Sequence, residues 1–278
     1  MQKGKDSRAF VPSLPGILQF CHPAIVWLLL LAFALSGCTA SLGGLTARAS
    51  DEWTRSYPLA EGGEVQIFNG NGRIEIEGVD GTMVDVRAER TARGATAAAA
   101  RELLPRITIK EDVRPDRVAI ETERPSGILI GVSFDVRYHV RVPKTALVRA
   151  RTANGEIAVT ALRGRLVATT ANGGVTGRDL SGGVEARVVN GPVAIDLRSL
   201  GSDPIDVRTV NGTVQLTLPG TAKANVSANC ANCTINASEV ALELMGEQSG
   251  RRVRGRMNGG GTPIELTTTS GTIRVAAR

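Results

Sequence analysis

The stretch Val148-Arg149-Ala150-Arg151-Thr152-Ala153-Asn154-Gly155-Glu156-Ile157-Ala158-Val159 reads as strand, corner, strand. Apolar side chains at 148, 150, 157 and 159 alternate with polar ones, the period of a half-buried strand. Asn154-Gly155 between them supplies the residue types that take positive φ at low steric cost. The same phrase begins at Val65, Leu166, Val184, Ile205, Val226 and Ile264, so the chain carries seven copies. Their corners are Asn71-Gly72, Asn172-Gly173, Asn190-Gly191, Asn211-Gly212, Asn232-Cys233 and Ser270-Gly271, always at one offset from the first aliphatic residue. A fixed self-similar phrase marks a repeat architecture.

Asn154, Asn172, Asn190, Asn211 and Asn232 follow one another at intervals of 18, 18, 21 and 21 residues. That interval is too short for a pair of helices, so each unit is one rung of an all-β solenoid. Stacking in register predicts that these five Asn form a ladder of amides along one edge; the alternative is that each only shapes its own turn. The inner columns run Val148, Leu166, Val184, Ile205, Val226 and Ala150, Ala168, Ala186, Val207, Ala228. With aromatic residues at only 3%, they predict a narrow aliphatic interior without room for a ligand.

The amino end has a different character. Lys3, Lys5 and Arg8 precede an apolar run over residues 24–35 that ends in Leu35-Ser36-Gly37-Cys38. Basic residues, a short apolar core and small residues before a cut site describe a secretory signal peptide over 1–37. The terminal tetrapeptide resembles the lipobox of bacterial lipoproteins. That resemblance implies that Cys38 becomes the first mature residue and carries the lipid, palmitate included. Several acyl chains, at ~0.8 kcal/mol per buried methylene, give lasting membrane attachment. By the same resemblance, to lipoprotein sorting rules, Thr39 in place of Asp implies the outer membrane rather than inner-membrane retention, with the body in the periplasm or outside. The long stretch before the apolar run points to a true start downstream of Met1. Residues 38–56, rich in Ala, Gly, Ser and Thr, are expected to be a flexible linker.

Residues 57–278 are then expected to form the solenoid domain, with 79–146 as a capping section. Residues 83–89, 107–111, 118–123 and 134–142 alternate as strands. Residues 91–104, ending at Pro105, are the one expected helix. This section is expected to cover an end of the solenoid whose open strand edges would otherwise pair with other chains.

The order of these features resembles a known family. A first Asn-Gly rung, an Ala-rich helix, strands ending in Val140-Arg141-Val142-Pro143, then Arg151-Thr152-Ala153-Asn154-Gly155 and rungs closing at Thr269-Ser270-Gly271-Thr272-Ile273 look like the putative adhesin family of toastrack type. The resemblance covers 65–275. It implies a β-solenoid at the cell envelope in an adhesion or docking role, with no catalytic residues or cofactors to carry over. Cys233, in place of the turn Gly, is a departure from that pattern.

Motifs for chemistry are sparse. The sequence has no G-x-S-x-G, H-E-x-x-H or phosphate-binding loop, and His139 lies in an alternating strand. Asp179, Asp196 and Asp206 fall at different rung offsets without aromatic neighbours and are expected to be solvated, unlike the paired carboxylates of a glycan-cleaving enzyme. Arg252, Arg254 and Arg256 alternate, so on a strand they face one way, as an anion-binding row or a solvated edge. Thr152, Thr170 and Thr209 are expected at unequal offsets, which weakens a surface of hydroxyls. The net charge of +6 is too dispersed for nucleic acid, and export excludes it more firmly. Cys230 and Cys233 are residues i and i+3 of a tight corner, within reach of a disulfide that an oxidising compartment would form. No further Cys or His pair completes a zinc site. The expectation is a lipid-anchored, non-enzymatic solenoid that docks an envelope protein or glycan. The alternatives are a periplasmic regulatory partner of a membrane signalling protein and, less favoured, a carbohydrate-active β-helix enzyme.

Overall fold

The computed structural model describes residues 46–127, 130–246 and 249–278. The expected signal peptide, its apolar run and Cys38 lie outside them. The chain enters through β1 (Ala47–Pro58), a twelve-residue strand where the linker was expected. Twelve residue pairs join it antiparallel to β4 (Met83–Gly94). The small, polar composition of β1 reads as linker locally, and this non-local ladder overrides it.

The repeats fold as two parallel columns that meet at the corners. The first strands are β2 (Glu64–Asn71), β8 (Leu147–Asn154), β10 (Leu166–Asn172), β12 (Val184–Asn190) and β14 (Ile205–Asn211), paired in that order. The second strands are β3 (Ile74–Val79), β9 (Ile157–Thr160), β11 (Val175–Leu180), β13 (Val193–Leu197) and β15 (Val214–Leu218), again in order. Val148, Leu166, Val184 and Ile205 lie directly beneath one another and are buried, as are Ile157, Val175, Val193 and Val214 opposite. Period-two alternation thus places these aliphatic columns inside.

Order along the chain and order in space part company after β15. The sixth copy in sequence is the first half of β16 (Ala224–Glu239), and the seventh is β19 (Thr262–Ala277). In space β19 takes the sixth place, pairing with β14 and β15 on one side and with β16 on the other. Outside β16 lie β17 (Glu243–Leu244) and β18 (Arg252–Met257), both antiparallel. The carboxyl-terminal strand is therefore held on both sides. Arg278 is fastened to Asp196 at 3.0 Å.

At the other end β5 (Thr108–Arg114), β6 (Arg117–Glu123) and β7 (Val132–Pro143) extend the two columns, β6 against β2 and β7 against β3. The helix α1 is shorter than expected, Ala97–Leu103, because residues 91–94 belong to β4. Thr96 caps it by accepting from the Ala99 amide at 3.2 Å. Ala100, Leu103 and Ile107 are buried, as is Tyr138, whose hydroxyl shares a hydrogen bond of 2.7 Å with that of Thr122.

Candidate binding surfaces

The corner edge is built from three columns. Thr152, Thr170, Thr209 and Thr268 share one offset, with Asn69, Val188 and Cys230 in the other places of the column. This corrects the expectation of unequal offsets. All four Thr are buried, and each hydroxyl donates to the carbonyl of the corner Gly one rung below, at 3.3, 3.0, 3.3 and 3.2 Å. They are satisfied core groups and not a recognition surface.

Asn side chains form the second column. Asn154 Nδ2 donates to Asn71 Oδ1 at 2.7 Å, Asn172 to Asn154 at 2.8 Å, Asn190 to Asn172 at 3.0 Å and Asn211 to Asn190 at 3.0 Å. Asn71 therefore opens the ladder. Asn232, expected as the neighbour of Asn211, is one rung further off, because Ser270 of β19 stands between them.

The third column is Gly72, Gly155, Gly173, Gly191, Gly212 and Gly271. A Cβ on Gly173 would lie 2.0 Å from the Gly155 carbonyl oxygen, and one on Gly191 at 2.0 Å from that of Gly173. Rung-to-rung clearance therefore demands glycine as strongly as turn geometry does. On the outermost rung Cys233 takes the Gly position and Cys230 the Thr position, and they are disulfide-bonded with Cα atoms 5.8 Å apart.

On the outer face of the first column, Arg187 pairs with Glu185 at 2.7 Å and Arg208 with Asp206 at 2.8 Å. Asp179 takes Arg198 and Asp196 takes Arg278, at 3.2 and 3.0 Å. All three Asp expected to be solvated thus hold arginines. Arg252, Arg254 and Arg256 are exposed on one face of β18, and Arg256 lies 3.6 Å from Glu243.

On the second column a groove of about 590 Å³ runs along β3, β7 and β9. Parallel pairing of β3 with β7 sets Glu75 opposite His139, with Oε2 2.6 Å from Nδ1. Arg73 lies 2.9 Å from Glu75 and 3.6 Å from Glu156, whose other oxygen accepts from Thr176 at 3.2 Å. Sequence reasoning missed this cluster because its members meet only through non-local pairing. The carboxylate orients the imidazole. No hydroxyl or thiol among the described residues bonds to His139, and the cluster lies on an open face.

The family model for Toastrack DUF4097 matches residues 61–276. The chain belongs to that family. Among solved structures, this toastrack chain is similar to a "putative cell adhesion protein" from Clostridium sporogenes ATCC 15579. That similarity has 13% identity and a TM-score of 0.51, over 83% of this chain and all of the other. A "putative adhesin" from Bacteroides fragilis NCTC 9343 follows at 9% identity and a TM-score of 0.32, over 82% of this chain and 97% of the other. The first establishes a shared fold. No curated protein matches the sequence.

Proposed function

We propose that this toastrack chain is a lipid-anchored, non-catalytic module of the cell envelope that docks another envelope component through its outer faces. The observation that carries the reading is the filling of the interior. Aliphatic columns close the space between the two strand columns, and the corner hydroxyls are all bonded to backbone. What the fold offers a partner is therefore its two outer faces, its corner edge and its ends. Membership of the toastrack family agrees with this.

The anchor rests on Leu35-Ser36-Gly37-Cys38. No helix among the described residues is long and apolar enough to cross a membrane. Because β1 begins at Ala47, only residues 39–46 separate the lipid site from the fold. Eight extended residues span at most ~30 Å, so the domain is leashed close to the bilayer. A short leash suits a module that meets membrane-bound partners.

The test is photo-crosslinking in cells, with a reactive side chain at Arg151, Thr169, Arg178 or Gln215 on the outer faces. Capture of one envelope component at a subset of these sites is the expected result. Cytoplasmic fractionation, or no adduct at any site, overturns the reading.

A further inference from the structure

At the far end of the first column the outer face carries a second concavity of about 720 Å³, bounded by β16, β18 and β19. The sheet register builds it. Thr267 of β19 lies beside Asn229 of β16, and Asn229 lies opposite Arg252 of β18, giving one row of hydroxyl, amide and guanidinium across three strands. Thr269, Asn232 and Arg251 complete the wall. The Cys230 amide donates to the Arg251 carbonyl at 2.9 Å, and the Cys230–Cys233 bond closes the corner that carries Asn232.

The charge here is unlike that of the rest of the face. Arg187, Arg208 and Arg256 each have a carboxylate within salt-bridge reach. Among the described residues, Arg251 and Arg252 pair with no carboxylate and no acidic residue lines the concavity. Two adjacent guanidiniums are strong sites for a carboxylate or phosphate oxygen. The hydroxyls and amides of Thr267, Thr269, Asn229 and Asn232 both donate and accept, as sugar hydroxyls require. No aromatic ring among the described residues lines the site, so charge and hydrogen bonds carry the affinity.

From this arrangement, and resting on the docking reading above, we infer that the concavity binds a segment of an acidic saccharide. Arg251 and Arg252 hold the sugar carboxylate, and the Thr and Asn side chains hold neighbouring hydroxyls. A single site of this kind binds weakly and depends on salt, because exposed charges are screened over about 10 Å at 0.1 M ionic strength. Many copies on one membrane raise the avidity.

The test uses the full-length protein in detergent, titrated with a defined glucuronate-containing oligosaccharide. The controls are a neutral oligosaccharide of equal length, inorganic phosphate and vesicles containing an anionic phospholipid. Binding of the acidic oligosaccharide is expected to weaken at least tenfold between 50 and 500 mM salt, roughly, from the screening above. It is expected to fall at least tenfold in Arg251→Gln/Arg252→Gln and to change less than twofold in Arg187→Gln/Arg208→Gln. Both exposed pairs should leave the melting temperature unchanged. A second variant, Cys230→Ser/Cys233→Ser, is expected to weaken binding through the loosened corner. Equal response to the neutral sugar, preference for phosphate or vesicles, or indifference to Arg251 and Arg252 overturns the assignment. Capture of an envelope protein by crosslinking without any saccharide response overturns this assignment and leaves docking standing. Saccharide binding in a protein that yields no adduct in cells overturns docking instead.

Discussion

Replacing Gly173 by Ala tests what keeps glycine at the corners. Gly173 has φ of +142°, and an added Cβ would lie 2.0 Å from the Gly155 carbonyl oxygen and 2.5 Å from its carbon. The obstacle is stacked backbone, so a rotamer change cannot relieve it. Clearing it to about 3 Å separates the two rungs by roughly 1 Å, which takes an ordinary hydrogen bond out of range. Three bonds cross that gap locally: Gly155 N–H to Asn172 O at 2.8 Å, Thr170 Oγ1 to Gly155 O at 3.0 Å, and Asn172 Nδ2 to Asn154 Oδ1 at 2.8 Å. At ~1 kcal/mol each they amount to about 3 kcal/mol. The unfavourable φ adds ~1–3 kcal/mol for a residue with a Cβ. The expected loss is about 4–6 kcal/mol, read as a lower urea midpoint by circular dichroism and a fall in Tm of roughly 10–20 °C. Asn172→Ala is the internal comparison. It removes one donated and one accepted amide bond at an exposed edge, expected at about 1–2 kcal/mol. If Gly173→Ala costs under about 1 kcal/mol, or less than Asn172→Ala, the amide ladder governs the corner and the clearance argument fails.

Three further outcomes follow from the sequence and the fold. Cys38→Ala should leave an unprocessed precursor that takes up no palmitate analogue in metabolic labelling; equal labelling of wild type and variant would remove the anchor. Mass spectrometry of the protein isolated without reductant should show the Cys230–Cys233 bond, and its reduction should lower Tm by only a few degrees, because so short a loop gains little from closure. Burial pushes the Tyr138 phenol up to about 12 from its ordinary value near 10, against the opposing hydrogen bond from Thr122. A raised folded-state value means stability intact below pH ~10 and lost as pH climbs through about 12, on the order of 2–3 kcal/mol in all. Tyr138→Phe should flatten the fall of Tm across that window, and an unchanged fall would place its cause elsewhere.

The sequence carried the rungs because their information is local. Period-two alternation around a fixed corner specifies which side chains go inward, and Val148, Leu166, Val184 and Ile205 are buried where that pattern puts them. What it could not carry was pairing between distant segments. β1 looked like linker because its partner β4 supplies the ladder. The helix was drawn too long because residues 91–94 favour neither state strongly and are claimed by the antiparallel pairing of β4 with β1 and β7. The Glu75–His139 pair depends on the parallel register of β3 and β7, which no spacing within either strand reveals. The row Thr267, Asn229 and Arg252 is hidden for the same reason, since its members come from three strands in a non-sequential order.

That non-sequential order also accounts for the odd corner. A rung inside the stack has neighbours on both sides, and its Asn both donates and accepts, as Asn172 does. The corner of β16 has a neighbouring corner on one side only, at Ser270 of β19. It therefore lacks the amide bonds that tie the inner corners together. It is also the corner where Gly gives way to Cys233 and Thr to Cys230, and a covalent bond spans those two positions. β18 covers β16 only as far as Asn229, so among the described residues the corner and the half beyond it pair with β19 alone, and a segment with one interface is where fraying begins in a stacked repeat. The disulfide holds the last corner where the ladder ends. The insertion of β19 beneath it means that the carboxyl terminus is clamped before that rung can open. The wall of the cationic concavity is thus fixed by a local crosslink and by the closing strand of the chain, which is the rigidity that a binding site at the end of a solenoid needs.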